Sequence, residues 1–232
     1  MMFTDIHSHI LHGVDDGPET IEESLGMIEK AAETNITTIY ATPHCFLSSP
    51  LTEDILKEKT EELNSKKQQD IRIEYGCEVM IEDSLPKFME KNRWMCLGNS
   101  NMLLVELPIF NYPLYVNEVL YRLNLMGIRP ILAHPERYVF AQKDMDRFLD
   151  EVQEYADFQI NAGSITGSYG KTAKKAARNL IKRNAVTYIA TDAHDRRTYN
   201  QLKDAYTTLQ RYRNKEEADK IFFYNPLLLS NV

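Results

Sequence analysis

Two hydrophobic patterns alternate along the chain. Short apolar runs that end in a polar residue or proline predict β-strands. Longer stretches with apolar residues at every third or fourth position predict amphipathic helices. The predicted strands cover residues 3–7, 37–42, 71–78, 102–107, 129–134, 157–161 and 186–191. The predicted helices cover residues 18–34, 52–67, 114–126, 144–155, 171–183 and 199–212, and the connection around residues 84–92 is irregular.

This order of elements predicts an α/β fold. Runs such as 103–105 and 131–133 are apolar throughout, as in mainly parallel sheets that helices cover on both faces. Seven strand–helix units suggest a closed or nearly closed barrel, although an open, doubly wound sheet is also compatible with the alternation. The sequence contains no linker, low-complexity tract or internal repeat, so we expect residues 1–232 to form one domain.

The size and the charge of the chain exclude some classes of function. A chain of 232 residues, 43% of them hydrophobic, can bury roughly 70–75% of its unfolded surface. It needs no structural metal or disulfide to fold. The formal net charge of −7 repels polyanions, which argues against a nucleic-acid partner.

The cysteines indicate a reducing compartment. Cys45, Cys77 and Cys96 are odd in number and form no C-x-x-C pair. The N-terminal residues do not have the pattern of a signal peptide, so we expect a cytoplasmic protein without membrane insertion. His44-Cys45 could begin the H-C-x5-R loop of cysteine-dependent phosphatases, but Leu51 stands where that loop needs arginine.

Six of the seven predicted strands lead into histidine or a carboxylate. In α/β barrels the functional site lies at the C-terminal ends of the strands. His-x-His on an extended segment also places both imidazoles on one face. The residues at these ends are His7, His9, His44, Glu78, Glu106, His134, Asp192 and His194.

A single histidine at a strand end is more often a hydrogen-bonded core residue than a metal ligand. Eight imidazole and carboxylate groups at one mouth are different, because so many buried polar groups are hard to satisfy without a cation. They exceed the three or four protein ligands of one zinc ion. We therefore expect two or three divalent ions, and nitrogen and oxygen ligands without thiolate suit Mn²⁺, Fe²⁺ or Zn²⁺.

Five motifs resemble a known superfamily. They are D-I-H-S-H at residues 5–9, G-V-D-D-G-P at 13–18, T-P-H at 42–44, H-P-E-R at 134–137 and D-A-H at 192–194. Together they resemble the polymerase and histidinol phosphatase (PHP) superfamily. Within it they are most similar to the CpsB/CapC-type bacterial protein-tyrosine phosphatases of capsule and exopolysaccharide systems. The resemblance covers nearly the whole chain.

The resemblance implies a distorted seven-stranded (β/α)7 barrel with a three-metal cluster, usually of manganese, at the C-terminal ends of the strands. The eight histidines and carboxylates match the family's ligand pattern, with Glu78 as the bridging ligand. Asp16 matches the catalytic aspartate, which would protonate the leaving oxygen or position water. Arg137 matches a phosphate-binding arginine. The second such arginine corresponds to Arg196 or Arg197, of which we choose Arg197.

The residues themselves support phosphate chemistry. A site with several metals and no nucleophilic side chain favours hydrolysis by metal-activated water, for which phosphate esters are natural substrates. Arg137 offers a two-donor fork for a phosphoryl group, or it could be a surface arginine paired with Glu136 or Asp144. Asp15 and Asp16 could instead cap the following helix, which we favour for Asp15.

A basic face is predicted on the helix at residues 171–183. Such a face is usually only solvated, but it could also bind an acidic, tyrosine-bearing tail of a kinase. Its residues are Lys171, Lys174, Lys175, Arg178 and Lys182.

These observations give one leading function and two alternatives. The leading function is a metal-dependent protein-tyrosine phosphatase that acts on the Tyr-rich tail of a bacterial tyrosine kinase controlling polysaccharide synthesis and export. The first alternative is histidinol-phosphate or other small-molecule phosphatase activity in the same superfamily. The second is a non-catalytic, metal-stabilised interaction domain, which predicts degraded ligand positions.

Overall fold

Parallel strands form the centre of the protein in the computed structural model, which describes residues 2–230. The domain predicted for residues 1–232 extends beyond this range at residues 1, 231 and 232. Each of the seven predicted runs contains a strand. The described strands are β1 (Phe3–Ser8), β2 (Ile36–Ala41), β3 (His44–Cys45), β4 (Arg72–Tyr75), β5 (Glu78–Met80), β6 (Met102–Glu106), β7 (Arg129–Ala133), β8 (Asp157–Asn161) and β9 (Tyr188–Ala190).

Helices connect most of these strands. Each of the six predicted helices corresponds to one of the observed helices. The helix that follows β1 begins at a capping box, in which Thr20 and Glu23 satisfy each other's backbone N–H groups. The α-helices are α1 (Ile21–Glu33), α2 (Glu53–Lys66), α3 (Leu85–Met89), α4 (Val116–Leu125), α5 (Val139–Lys143), α6 (Met145–Val152), α7 (Ala162–Thr166), α8 (Gly170–Lys182), α9 (Asn200–Leu209), α10 (Lys215–Asp219) and α11 (Asn225–Leu227). Short 3-10 turns lie at Arg93–Met95, Pro135–Arg137 and Leu228–Ser230, and a π-helical turn lies at Lys220–Tyr224.

The strands form two parallel sheets, in the orders β1-β2-β4 and β3-β5-β6-β7-β8-β9. β3 continues β2 after a break at Pro43, which has no N–H to donate. β5 continues β4 after Gly76, where a Cβ atom would approach the Cys96 carbonyl oxygen to 3.1 Å. The first break lies at the end of the predicted run 37–42, and the second lies inside the predicted run 71–78. The predicted parallel α/β fold is confirmed.

The two sheets meet where β1 approaches the segment after β9. Ser8 and Ala193 form a parallel bridge. The His9 N–H donates to the Ala193 carbonyl, and the Asp192 N–H donates to the His7 carbonyl, each at 2.9 Å. This contact favours a closed barrel over the open, doubly wound sheet.

Alternate strand residues face opposite sides of the barrel wall. Leu104, Ile131 and Ala190 belong to a small inner cluster, whereas Leu132 and Ile160 pack against the helices. Two residues beyond an inner position, the next side chain also points inward. The wall therefore directs both apolar and polar groups towards the same axis.

The three cysteines are buried and form no disulfide. Cys77 lies in the core. Within residues 2–230, every helix is too short or too polar to cross a lipid bilayer.

Candidate metal centre

All eight predicted ligands meet at the C-terminal ends of the strands. Their donor atoms fall into four overlapping groups, and within each group they lie within 4.8 Å of one another. Every such group could hold a metal ion. The groups are His7, His9 and Asp192; His7, Glu78 and His134; His44, Glu78 and Glu106; and His9, Asp16, His44 and His194.

Glu78 occupies the middle of this cluster. Its Oε1 atom lies 2.9 Å from His134 Nε2. Its Oε2 atom lies 3.2 Å from His7 Nε2, 3.3 Å from His9 Nε2 and 3.0 Å from His44 Nδ1, yet it is buried without a well-directed hydrogen bond. An orphaned carboxylate oxygen among three imidazoles suits a ligand that bridges two cations, the role expected for Glu78.

Two imidazole nitrogens face each other at the centre, and in the neutral rings neither of them would carry a proton. His7 Nδ1 donates to Gln159 Oε1 at 2.9 Å, and His9 Nδ1 donates to Asp15 Oδ2 at 2.7 Å. In the neutral rings both Nε2 atoms therefore carry lone pairs, and they lie only 3.1 Å apart. Donor nitrogens that share one metal ion have a separation of about 3 Å, so these residues fit a metal.

The charges around the centre also favour a cation. Burial opposes protonation of His7, but Glu78 and Asp192 outweigh it and raise the pKa of His7 to about 9. Burial would raise the pKa of Glu78, but the neighbouring imidazoles hold it well below its usual range. The cluster thus attracts positive charge, as protons or as metal ions.

A pair of amides on β8 orients two of the predicted ligands. Gln159 accepts from His7, and its Nε2 atom donates to Asn161 Oδ1 at 2.9 Å. Asn161 Nδ2 then donates to Asp192 Oδ2 at 2.6 Å. The chain of donors runs in one direction, which keeps His7 Nε2 free for a metal. No site residue was predicted on this strand, although its polar residues alternate as Asp-x-Gln-x-Asn.

Replacing Gln159 by leucine is expected to weaken metal binding by about 10- to 100-fold while the fold is retained. His7 would lose the acceptor that fixes its tautomer. Calorimetric titration of the metal-free protein with Mn²⁺ measures the effect. Gln142→Leu is the control, because the Gln142 side chain donates to the Glu136 carbonyl and lies outside the four donor groups. Equal Mn²⁺ affinity in all three proteins would show that the amide pair does not position His7.

Asp15 holds the loop that contains the G-V-D-D-G-P motif. Its Oδ2 atom accepts from His9 and from the His44 N–H at 3.1 Å, and its Oδ1 atom accepts from the Gly17 N–H at 3.0 Å. The residue that caps α1 is Thr20. The interpretation of Asp15 as a helix cap is therefore wrong.

Asp16 lies at the exposed edge of the cluster. Its Oδ1 atom is 3.1 Å from His194 Nε2 and 3.7 Å from His44 Nε2, and its side chain is 67% exposed. The carboxylate can therefore reach both solvent and the donor atoms of these histidines. This position suits the expected proton-transfer role and equally suits a further metal ligand.

Arg137 also reaches the cluster. His134 adopts φ 36°, a left-handed conformation that bends the chain into the 3-10 turn Pro135–Arg137. Arg137 Nη1 donates to Asp192 Oδ2 at 3.0 Å, and the side chain remains 35% exposed. Its guanidinium carbon lies 5.0 Å from the Tyr169 ring centroid.

The surface alternative for Arg137 does not match these contacts. Glu136 is buried and accepts from the Asn161 N–H, and Asp144 caps α6. Arg196 and Arg197 are both exposed and line one cavity of about 600 Å³ beside His194. The choice of Arg197 as a phosphate-binding residue stays a prediction.

Comparison with known proteins points to a single family. The family model for capsular polysaccharide synthesis proteins of the CpsB/CapC type matches residues 3–230. CapC of Staphylococcus aureus is 35% identical over 195 residues, which cover 82% of this chain and 76% of CapC. The tyrosine-protein phosphatase YwqE of Bacillus subtilis is 31% identical over 203 residues, which cover 84% of this chain and 79% of YwqE.

A solved structure of this family has the same fold as this chain. It comes from a crystallographic description of YwqE from Bacillus subtilis and CpsB from Streptococcus pneumoniae as unique metal-dependent tyrosine phosphatases. The match has a TM-score of 0.91 at 29% identity and covers 98% of this chain and 94% of the other. The expected family and fold are thereby confirmed.

Proposed function

The chain belongs to the CpsB/CapC family of capsular polysaccharide synthesis proteins, and we propose that it is a metal-dependent protein-tyrosine phosphatase. One observation carries this function. Eight ligand-type side chains converge with Glu78 in their middle, and an arginine with a partly exposed guanidinium lies at their edge. Among the relatives named above, YwqE and CpsB are described as metal-dependent tyrosine phosphatases.

Each group at the centre has a task in hydrolysis of a phosphate ester. The predicted ligands would hold two or three divalent ions, which supply the acidity that activates water and stabilise the phosphoryl oxygens. Arg137, and with it Arg197, would bind the phosphoryl group through charge-assisted hydrogen bonds. Asp15 and the β8 amides would keep the imidazoles correctly oriented. Asp16 would deliver a proton to the leaving phenolate oxygen.

Four finer assignments belong to this proposal. Mn²⁺ is the proposed metal, with Fe²⁺ and Zn²⁺ as alternatives, because the donors are nitrogen and oxygen. The proposed substrate is a bacterial tyrosine kinase with a Tyr-rich tail. We place the enzyme in the cytoplasm, where its three cysteines would stay reduced. Residues 1–232 are proposed to act as one phosphatase domain.

Turnover of three substrates under one set of metal conditions tests the function. A phosphotyrosine peptide should be hydrolysed with a much higher kcat/KM than histidinol phosphate or a phosphoserine peptide. Preference for histidinol phosphate would instead assign a small-molecule phosphatase. No turnover of any substrate by protein with a full metal complement would assign a non-catalytic domain.

Asp16→Asn tests the origin of the transferred proton. The phenol of tyrosine has a pKa of about 10, so its departure benefits from protonation. Nitrophenolate is a better leaving group and needs less help. If Asp16 is the acid, the variant should lose much more activity on the phosphotyrosine peptide than on nitrophenyl phosphate. Equal losses would indicate water positioning, and equal losses with missing metal would indicate a ligand.

A further inference from the structure

Helix α8 carries a row of cations on its exposed side. Lys171, Lys175, Arg178 and Lys182 follow one another at intervals of four, three and four residues, which places them on one face. All four are exposed, and α8 contains neither Asp nor Glu. The row extends about 16 Å along the helix. We call these four residues the α8 stripe.

The lysines of the stripe have no protein partner. Among residues 2–230, no carboxylate lies within ion-pair distance of Lys171, Lys175 or Lys182, and none of their side chains makes a hydrogen bond. Some exposed lysines elsewhere are paired, as Lys57 is with Glu53 and Lys66 with Glu62, whereas Lys87 and Lys91 also lack a carboxylate partner within residues 2–230. What distinguishes the stripe is that its cations share one face of a helix without Asp or Glu, on a chain whose net charge is −7.

The two other cations of the predicted basic face have structural partners. Lys174 Nζ donates to the Thr166 carbonyl at 2.8 Å, near the end of α7. Arg178 donates to the Tyr212 hydroxyl at 2.7 Å and lies over the Tyr212 ring. The charge available to a partner is therefore concentrated on the three lysines.

The stripe begins beside the metal centre. Tyr169 directly precedes α8, and its ring lies against Arg137, which donates to Asp192. Lys171 is two residues further on, and the helix carries the other lysines progressively away from this edge. A polypeptide with one residue at the centre could thus extend along the stripe.

We propose that the α8 stripe binds an acidic segment of the phosphotyrosine polypeptide, adjacent to the residue being hydrolysed. This inference rests on the proposed phosphatase function. Carboxylates or further phosphate groups of the segment would pair with the lysines at the edge of the interface. Charges in such positions mainly raise the association rate and its dependence on salt. The preferred substrate is then phosphotyrosine in an acidic sequence.

Two peptides with the same phosphotyrosine core, one flanked by glutamates and one by glutamines, test this inference. The wild-type protein should have a lower KM for the glutamate peptide. In Lys171→Glu/Lys175→Glu that KM should rise about fivefold at low salt, as for the loss of two exposed charge pairs, and kcat should stay constant. At 1 M salt, where the screening length is about 3 Å, the difference should disappear.

Lys87→Glu/Lys91→Glu is the matched control, because this pair is also exposed, four residues apart and changes the net charge equally. An equal rise in KM in the control, or no preference of the wild type for glutamate flanks, would overturn the inference. Binding of the stripe to phosphatidylglycerol vesicles without a peptide preference would also overturn it. Nitrophenyl phosphate has no flanking residues, so its turnover tests the phosphatase centre without the stripe. Turnover of this substrate by all variants would show that the proposed function holds even if the inference about the stripe fails.

Discussion

Replacing Glu78 by alanine is expected to abolish turnover and to lower the number of metal ions that each molecule holds. Glu78 contacts four imidazoles through its two oxygens, so its loss removes donors from more than one group. We expect a fall in kcat/KM of about 10³-fold or more, equivalent to about 4 kcal/mol of transition-state stabilisation. Elemental analysis and peptide turnover measure the two effects.

Removal of all bound metal should have the same effect on turnover as the loss of Glu78. Exhaustive chelation should stop turnover, and Mn²⁺ should restore it. Glu82→Ala is the control for Glu78→Ala, because the Glu82 carboxylate lies outside the four donor groups and accepts from the Leu47 N–H. Full activity of a sample shown by elemental analysis to be free of metal would refute the metal-dependent mechanism.

Arg137→Ala should reduce kcat/KM by about 10²-fold or more, which corresponds to about 2.7 kcal/mol. The variant would lose the planar donor fork at the edge of the cluster, and Arg137→Lys would recover little because ammonium lacks that fork. Metal content should remain unchanged. Arg147→Ala serves as the control, since Arg147 is exposed on α6 and its guanidinium pairs with Glu151.

The contact of Arg137 with Asp192 sharpens this experiment. If Arg137→Ala also loses metal, the arginine acts by holding Asp192 in place rather than by binding phosphate. If the variant unfolds, its role is structural. Only a loss of rate in a folded protein with its full metal content supports the phosphate-binding role.

The sequence predicted the strands and the eight converging side chains because both follow from short-range rules. Apolar runs mark parallel strands, and parallel strands bring their C-terminal ends together. Glu106 and Asp192 could thus be placed in one site although they are distant in sequence. The hydrophobic pattern did not predict the breaks after β2 and β4, because they depend on Pro43 and on the space around Gly76.

Hydrogen-bond partners could not be predicted in the same way. Gln159 and Asn161 were missed because polar residues that alternate on a strand are also typical of a half-exposed sheet. Asp15 was taken for a helix cap because its spacing from α1 permits one. The direction of a hydrogen bond depends on which strands become neighbours, and that information is spread over the whole chain.

The contact between β1 and the segment after β9 sets the moment in protein synthesis at which an active enzyme can exist. His7 and His9 leave the ribosome early, whereas Asp192 and His194 are made only after the last strand. At about 5–20 residues per second, this interval lasts about 10–40 s. A nascent or truncated chain that ends before Asp192 can neither close the barrel nor complete the metal centre. Incomplete translation products of this phosphatase are therefore expected to be inactive.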